Sequence, residues 1–191
     1  MCSVSIAIDG ASQVFRSINE GYSHAEKLAV FVDEAIKESG IQLNQLDAIA
    51  ISKGPGSYTG LRIGVSSAKG LAYSLGKPLI AVQTLQIMCL HPEVKRQINL
   101  YEDLVLCPML DARRMEVYTA VYDIGLKEMI EVQPMILDEL SFHDLLSQEG
   151  VLFFGSGSSK FKDILKNDSA YFVEGVWPQA SEMAMLSQIG R

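Results

Sequence analysis

The sequence predicts an α/β chain built from two related lobes, and three observations carry that expectation. Two hairpin signals, each followed by a helical pattern, recur along the chain. A glycine-rich stretch between a short apolar strand and a long amphipathic helix marks a βαβ unit, which joins parallel strands. The order hairpin, helix, strand, glycine loop, helix, strand also occurs twice. That echo is weak in residue identity but clear in element order, and it places a boundary near residue 100.

The elements follow in turn. Ser3 to Ile8 reads as a strand, Asp9-Gly10 as a two-residue hairpin turn, and Ala11 to Ile18 as the returning strand. From His24 to Ser39 the residues Ala25, Leu28, Ala29, Phe31, Val32, Ala35 and Ile36 fall on one helical arc. Ser23 is placed to cap it with Glu26 at the capping-box position, and Gly40 ends it. That arc is wider than the roughly 100° stripe needed to sit on one sheet, so the helix has surface to spare for a second partner. Leu46 to Ser52 is a strand, Leu61 to Leu75 a helix and Pro78 to Val82 the parallel strand. His91 to Gln97 is a polar, proline-bearing segment. The second half reads as a strand from Leu104 to Met109 and a hairpin of Met115 to Tyr122 with Leu126 to Gln133. A helix over Asp138 to Gln148, a strand over Val151 to Phe154 and the loop Gly155-Ser156-Gly157-Ser158 follow. A helix to Lys166, a strand from Ala170 to Glu174 and a helix begun near Ser181 complete it.

Composition bounds the function. The chain has 191 residues, 48% of them hydrophobic, with a net charge of −7, which suits a folded acidic protein and excludes disorder. Nucleic-acid binders neutralise phosphates with clustered Lys and Arg. Here the basic pairs Lys95-Arg96 and Arg113-Arg114 are isolated, which weighs against direct RNA binding. Cys2, Cys89 and Cys107 are odd in number and far apart, so reduced thiols in a cytoplasmic protein are expected. No apolar run approaches the roughly 20 residues of a membrane helix, and no signal-peptide plan is visible.

The stretch Gly54-Pro55-Gly56-Ser57-Tyr58-Thr59-Gly60, with Arg62 beyond it, has two readings. Glycines before a helix N-terminus let backbone N–H groups approach an anion, so the loop can cradle a phosphate or acidic group. Equally, it can be a strained turn that docks the helix. Walker A chemistry is excluded because Gly60 is followed by Leu61-Arg62 instead of Lys-Ser/Thr, and the Rossmann spacing is absent. On the following helix Val65, Ala68, Leu71, Ala72 and Leu75 form the core stripe. Ile63, Ser66, Ser67, Gly70 and Ser74 gather on the other side. A mid-helix glycine costs about 1 kcal/mol relative to alanine. This small-residue flank is therefore either a docking surface for another helix or a packing face against the lobe's own first helix.

Four segments carry a family resemblance: Ser23-His24-Ala25-Glu26, the run from Gly54 through Arg62 to Gly64, Thr84-Leu85, and Asp111-Ala112-Arg113-Arg114-Met115-Glu116-Val117-Tyr118. In this order they resemble the TsaB (YeaZ) family, and they span most of the chain. The resemblance implies two ribonuclease-H-like lobes of the actin/Hsp70/sugar-kinase superfamily, an N-terminal one over residues 1–100 and a smaller one over residues 101–191. It implies a subunit without its own catalytic centre, metal or intrinsic cofactor. Such a subunit supports a TsaD-type enzyme that transfers threonylcarbamoyl to N6 of adenosine at tRNA position 37, and a TsaE-type ATPase completes the set. Contact with tRNA is then indirect, homodimers are an alternative assembly, and a nucleotide site is conceivable at the TsaD contact. Association through helices of the first lobe falls here on His24, Phe31, Ile63, Ser66, Ser67, Gly70 and Ser74. The sequence departs from the family at its start: the strand that precedes Cys-Ser-Val in family members, and the first phosphate loop with it, are expected to be absent. A gap between the first hairpin and the strand Leu46 to Ser52 is then expected, and the last helix is expected to be short.

A second class of function is an independent enzyme, either a metallopeptidase or a sugar-kinase-like ATPase. The three histidines His24, His91 and His143 stand alone, without the His-Glu-x-x-His spacing of a zinc peptidase. Asp111, Arg113 and Glu116 form either a charged site at a strand end or a hairpin salt-bridge cluster. A third class is a homodimer-only regulator that self-associates through the helix face.

Overall fold

In the computed structural model the described residues are 1–19, 24–101 and 103–189, with backbone placement alone for 24–26 and 189. The chain divides into two compact units, residues 1–87 with 178–191, and residues 88–177.

Unit 1 opens with the hairpin β1 (Cys2–Ile8) and β2 (Ala11–Ile18). Asp9 and Gly10 both take positive φ, 49° and 78°. Two left-handed residues in a row make the turn whose twist matches the flanking strands. The helix α1 (His24–Ser39) lies on this hairpin, burying Ala35 against Ile6 and Val14, while Arg16 of β2 pairs with Glu34 and Glu38 of the helix. Gly40, at φ 70°, stops it. A single 3-10 turn (Leu43–Gln45) precedes β3 (Ile49–Ser52), which is shorter than the strand expected from Leu46. The long helix α2 (Tyr58–Leu75) crosses over to β4 (Leu79–Val82), which pairs parallel with β3, as the βαβ reading requires. The left-handed Gly76 caps the end of α2. The helix α7 (Ala180–Ile189) returns to this unit and packs on all four strands. Unit 1 thus holds two separate two-stranded sheets, β1-β2 and β3-β4.

Unit 2 contains one five-stranded mixed sheet in the order β7-β6-β5-β8-β9. Its strands are β5 (Leu104–Asp111), β6 (Glu116–Tyr122), β7 (Glu128–Ile136), β8 (Gly150–Phe154) and β9 (Ala170–Val173). The central strand β5 runs antiparallel to β6 and parallel to β8. Leu104 to Met109 are all buried, as befits a strand covered on both faces. One face packs the side chains of Val105, Cys107, Val117, Phe153 and Phe161. Phe153 meets Phe161 edge-on at 5.1 Å and stacks on Phe172 at 5.3 Å, the arrangements that ring quadrupoles favour.

Several sequence expectations are corrected. The segment Thr84-Leu85 follows the strand β4. It opens the helix α3 (Thr84–Cys89), and Pro92–Ile98 forms α4. The proline of the polar segment sits at the first turn of α4, where its missing N–H costs nothing, and His91 caps that turn by accepting the Glu93 N–H. The helix expected over Asp138 to Gln148 shrinks to α5 (His143–Leu146), because Phe142 at φ 63° blocks earlier helix. The helix after Ser158 is α6 (Ser158–Lys162), ending short of Lys166. Ser23, which was to cap α1, and the side chain of Glu26 lie outside the described residues.

Candidate functional site

The glycine loop is shorter than the sequence suggested. Tyr58, Thr59 and Gly60 form the first turn of α2, and Ser57 caps it, its Oγ accepting the Gly60 N–H at 3.4 Å. The loop proper is therefore Lys53 to Ser57. Gly54 needs to be glycine, since its φ is 103° and L side chains avoid that region. Its carbonyl accepts the Thr84 N–H at 2.9 Å, and Ser52 Oγ and Thr84 Oγ1 meet at 2.6 Å, so the loop is tied to the start of α3. Arg62 lies 5.4 Å from the ring centre of Tyr58, in cation–π range. Pro55 and Gly56 complete the turn, and Ser57, Tyr58 and Thr59 are exposed.

On α2 the buried residues Ala68 and Ala72 hold the helix to its sheet. Ile63, Ser66, Ser67, Gly70 and Ser74 recur at intervals of three and four and so share one flank. Ile63 is half-buried and the other four are exposed. A Cβ added at Gly70 would meet nothing within 4 Å. Packing within the described residues therefore gives no reason for a glycine there, although α1 and α2 do touch. Tyr73 stands next to this flank with 91% of its surface exposed. On α1, Phe31 is half-buried and Val30 exposed. The side chain of His24 lies outside the described residues.

In unit 2 the expected charged trio is not brought together through its side chains. The carboxylate of Asp111 instead receives Lys160 Nζ at 2.5 Å and the Arg113 N–H at 3.2 Å. The same ammonium donates to the carbonyls of Arg114 at 2.8 Å and Glu116 at 2.6 Å. Ser156 Oγ accepts the Asp111 N–H at 3.1 Å. Arg113 and Arg114 occupy left-handed backbone, φ 73° and 47°, and all three donor bonds of Lys160 converge on that turn. Sequence reading missed Lys160 because it lies 49 positions from Asp111, and a lone lysine in a short helix carries no local signal of a distant partner.

Among the described residues no group of three or more His, Cys, Asp or Glu side chains is placed to hold a metal ion. No described helix is long and apolar enough to cross a membrane. The thiols of Cys89 and Cys107 are buried, and burial pushes both up, Cys107 to about 12. They are poor nucleophiles in the fold, since the thiolate is the reactive form.

Comparison with known proteins decides the family. The family described as TsaD: tRNA N6-adenosine threonylcarbamoyltransferase matches residues 21–181. The chain belongs to this family, with the TsaB (YeaZ) proteins among its relatives. It is similar to the tRNA threonylcarbamoyladenosine biosynthesis protein TsaB of Haemophilus influenzae, 33% identical over 117 residues, covering 61% of this chain and 47% of the relative. The TsaB protein of Bacillus subtilis is 32% identical over 151 residues, 76% of this chain and 62% of the relative. These matches span between about half and three-fifths of each relative's length. Among solved structures, YeaZ from Pseudomonas aeruginosa superposes with a TM-score of 0.75 at 25% identity, covering 98% of this chain and 85% of that one. The actin-like α/β architecture expected from the resemblance is supported by this likeness.

Proposed function

We propose that this chain is a non-catalytic subunit that binds and supports a TsaD-type threonylcarbamoyltransferase in forming N6-threonylcarbamoyladenosine at tRNA position 37. The curated relatives carry that pathway in their names. The observation that carries the subunit role is Gly70. A glycine in an exposed helix interior costs about 1 kcal/mol relative to alanine, and nothing within 4 Å of its absent Cβ accounts for it inside the described residues. A second helix laid on the flank of Ile63, Ser66, Ser67, Gly70 and Ser74 would account for it, since small side chains let two helix backbones approach closely. In this proposal Phe31 and His24 of α1 flank the contact. Residues 1–100 and 101–191 are the two ribonuclease-H-like lobes, the net charge of −7 leaves tRNA contact to the partner, and a TsaE-type ATPase joins the assembly.

Co-purification with a TsaD-type protein tests this. Ser67→Arg and Gly70→Arg are expected to abolish the complex while circular dichroism and melting temperature stay close to those of the parent. Normal binding by both folded variants overturns the interface. Metal-dependent proteolysis, or ATP turnover by the isolated chain, overturns the non-catalytic role.

A further inference from the structure

Thr84-Leu85 is one of the segments that carry the family resemblance, yet neither residue lies on the α2 flank. Leu85 is fully buried, and Thr84, 5% exposed, is the only buried polar side chain among the described residues of unit 1. A hydroxyl taken out of water needs a partner to offset its desolvation. Thr84 Oγ1 finds one at 2.6 Å in the Oγ of Ser52, the last residue of β3.

This hydroxyl pair is one of three bonds that lace the end of β3 to the residues at and beyond the end of β4. Ser52 faces Val82 in the register of the two strands. Beyond that pair Lys53 donates its N–H to the Val82 carbonyl at 2.8 Å, and the Gly54 carbonyl accepts the Thr84 N–H at 2.9 Å. The Thr84 N–H belongs to the first turn of α3, where donors have no partner inside the helix. Gly54 turns the chain away with φ 103°, a conformation that glycine adopts freely and therefore does not hold by itself. The contact between Ser52 and Thr84 adds a side-chain tie at the point where the glycine loop leaves the sheet.

The loop in turn controls the first half of α2. The buried residues of that helix, Ala68 and Ala72, both lie in its second half. Residues 58–67 include no buried side chain, and they contribute Ile63, Ser66 and Ser67 to the flank. Their placement depends on where the helix starts, and Ser57, which caps it, follows Gly54 by three residues. We propose that Thr84 is a positioning residue: its hydroxyl holds the loop from Lys53 to Ser57, and through it the N-terminal half of α2, in the orientation that a TsaD-type partner binds. The proposal rests on the subunit role of the α2 flank and extends it to a buried residue outside that flank.

Three variants test it. Thr84→Val keeps the branched shape and removes the hydroxyl, Ser52→Ala removes its partner, and Thr84→Ser keeps the bond. Residue-resolved amide hydrogen exchange of the full chain is measured beside the dissociation constant of its complex with a TsaD-type protein. Thr84→Val and Ser52→Ala should each speed exchange over residues 61–67 and weaken the complex by about three- to tenfold, the worth of one hydrogen bond. Residues 70–75 should exchange as in the parent, since local opening is confined to the segment that has lost its tie. The double variant should be no worse than either single one, because both remove the same contact, and Thr84→Ser should behave as the parent. Parent-like exchange over residues 61–67 in both Thr84→Val and Ser52→Ala overturns the proposal. An unchanged dissociation constant beside a loosened helix, a loss that Thr84→Ser does not restore, or exchange sped equally along the whole chain overturns it too. A parent chain that binds no TsaD-type protein sinks the subunit role instead, and the exchange comparison then decides by itself whether Thr84 positions α2.

Discussion

Lys160 crosses from α6 to Asp111 at the end of β5 and closes the turn between β5 and β6 from outside. Only 19% of its side-chain surface is exposed, against 47% for Asp111. The lysine spends its charge on one carboxylate and two carbonyls of a turn whose arginines sit in left-handed backbone. That backbone is costly for residues with a Cβ, and the ammonium offsets the cost. Lys160→Met keeps the aliphatic stem and removes the donors. It should lower stability by about 1–3 kcal/mol, the range for losing hydrogen bonds to a charged group, as read from the urea midpoint. An unchanged midpoint would show that the turn holds itself.

Gly155 and Gly70 make opposite predictions from the same substitution. Gly155→Ala drives a Cβ to 2.4 Å from both the Met109 carbonyl and the Met88 side chain at φ 100°, so two penalties act on one residue. It should cost several kcal/mol or abolish folding, on the scale of about 1–3 kcal/mol for each strained backbone position plus overpacking. Gly70→Ala meets open space on a helix and should stabilise the isolated chain by about 0.5–1 kcal/mol. Thermal melts of the two variants should move in opposite directions.

What was legible in the sequence was what local chemistry encodes. Asp9-Gly10 specifies its hairpin turn because both residues tolerate positive φ, and the βαβ crossover is visible because strand, glycine loop and amphipathic helix are contiguous. Gly40 and Gly76 end α1 and α2 where glycine is expected to. What was hidden depended on context. Pro92 reads as a breaker until it is placed at the first turn of α4, and Phe142 gives no hint that it will adopt φ 63° and cut α5 short. At the candidate site the exposed flank of α2 was legible from spacing alone. Whether that flank was covered by the chain's own α1 was not, because spacing on one helix says nothing about its neighbours. The Lys160 contacts were hidden for a related reason, since their partners lie 44 to 49 positions away.

Of the three thiols, Cys2 is partly exposed while Cys89 and Cys107 are buried. Under native conditions near pH 8 an alkylating reagent should modify Cys2 alone, with the other two reacting only after denaturant is added. Mass spectrometry of the intact chain reads the count directly. Labelling of Cys107 without denaturant would mean that unit 2 opens locally far more readily than a fully buried central strand should.

Alkaline pH should unfold the chain through these same groups. In the fold, burial holds the Cys107 thiol up at about 12 against an ordinary 9.0, and it raises Cys89 and the Tyr122 phenol as well. The Tyr122 hydroxyl is buried without a hydrogen-bond partner, so no donor favours its charged form. Above pH 9 the unfolded chain sheds protons that the folded chain keeps, so the unfolded state binds fewer and stability falls as pH rises. The contribution is intact below pH 9 and is lost progressively up to about 12 for Cys107, at about 1.4 kcal/mol per pH unit for each proton retained. The comparison that isolates the thiol is Cys107→Ala against the parent. The variant should be less stable at pH 7 for want of core volume, yet its urea midpoint should decline less steeply between pH 9 and 11. Parallel declines would mean that Cys107 is as easily ionised in the fold as in the unfolded chain, contrary to its place between Thr119 and the buried sheet.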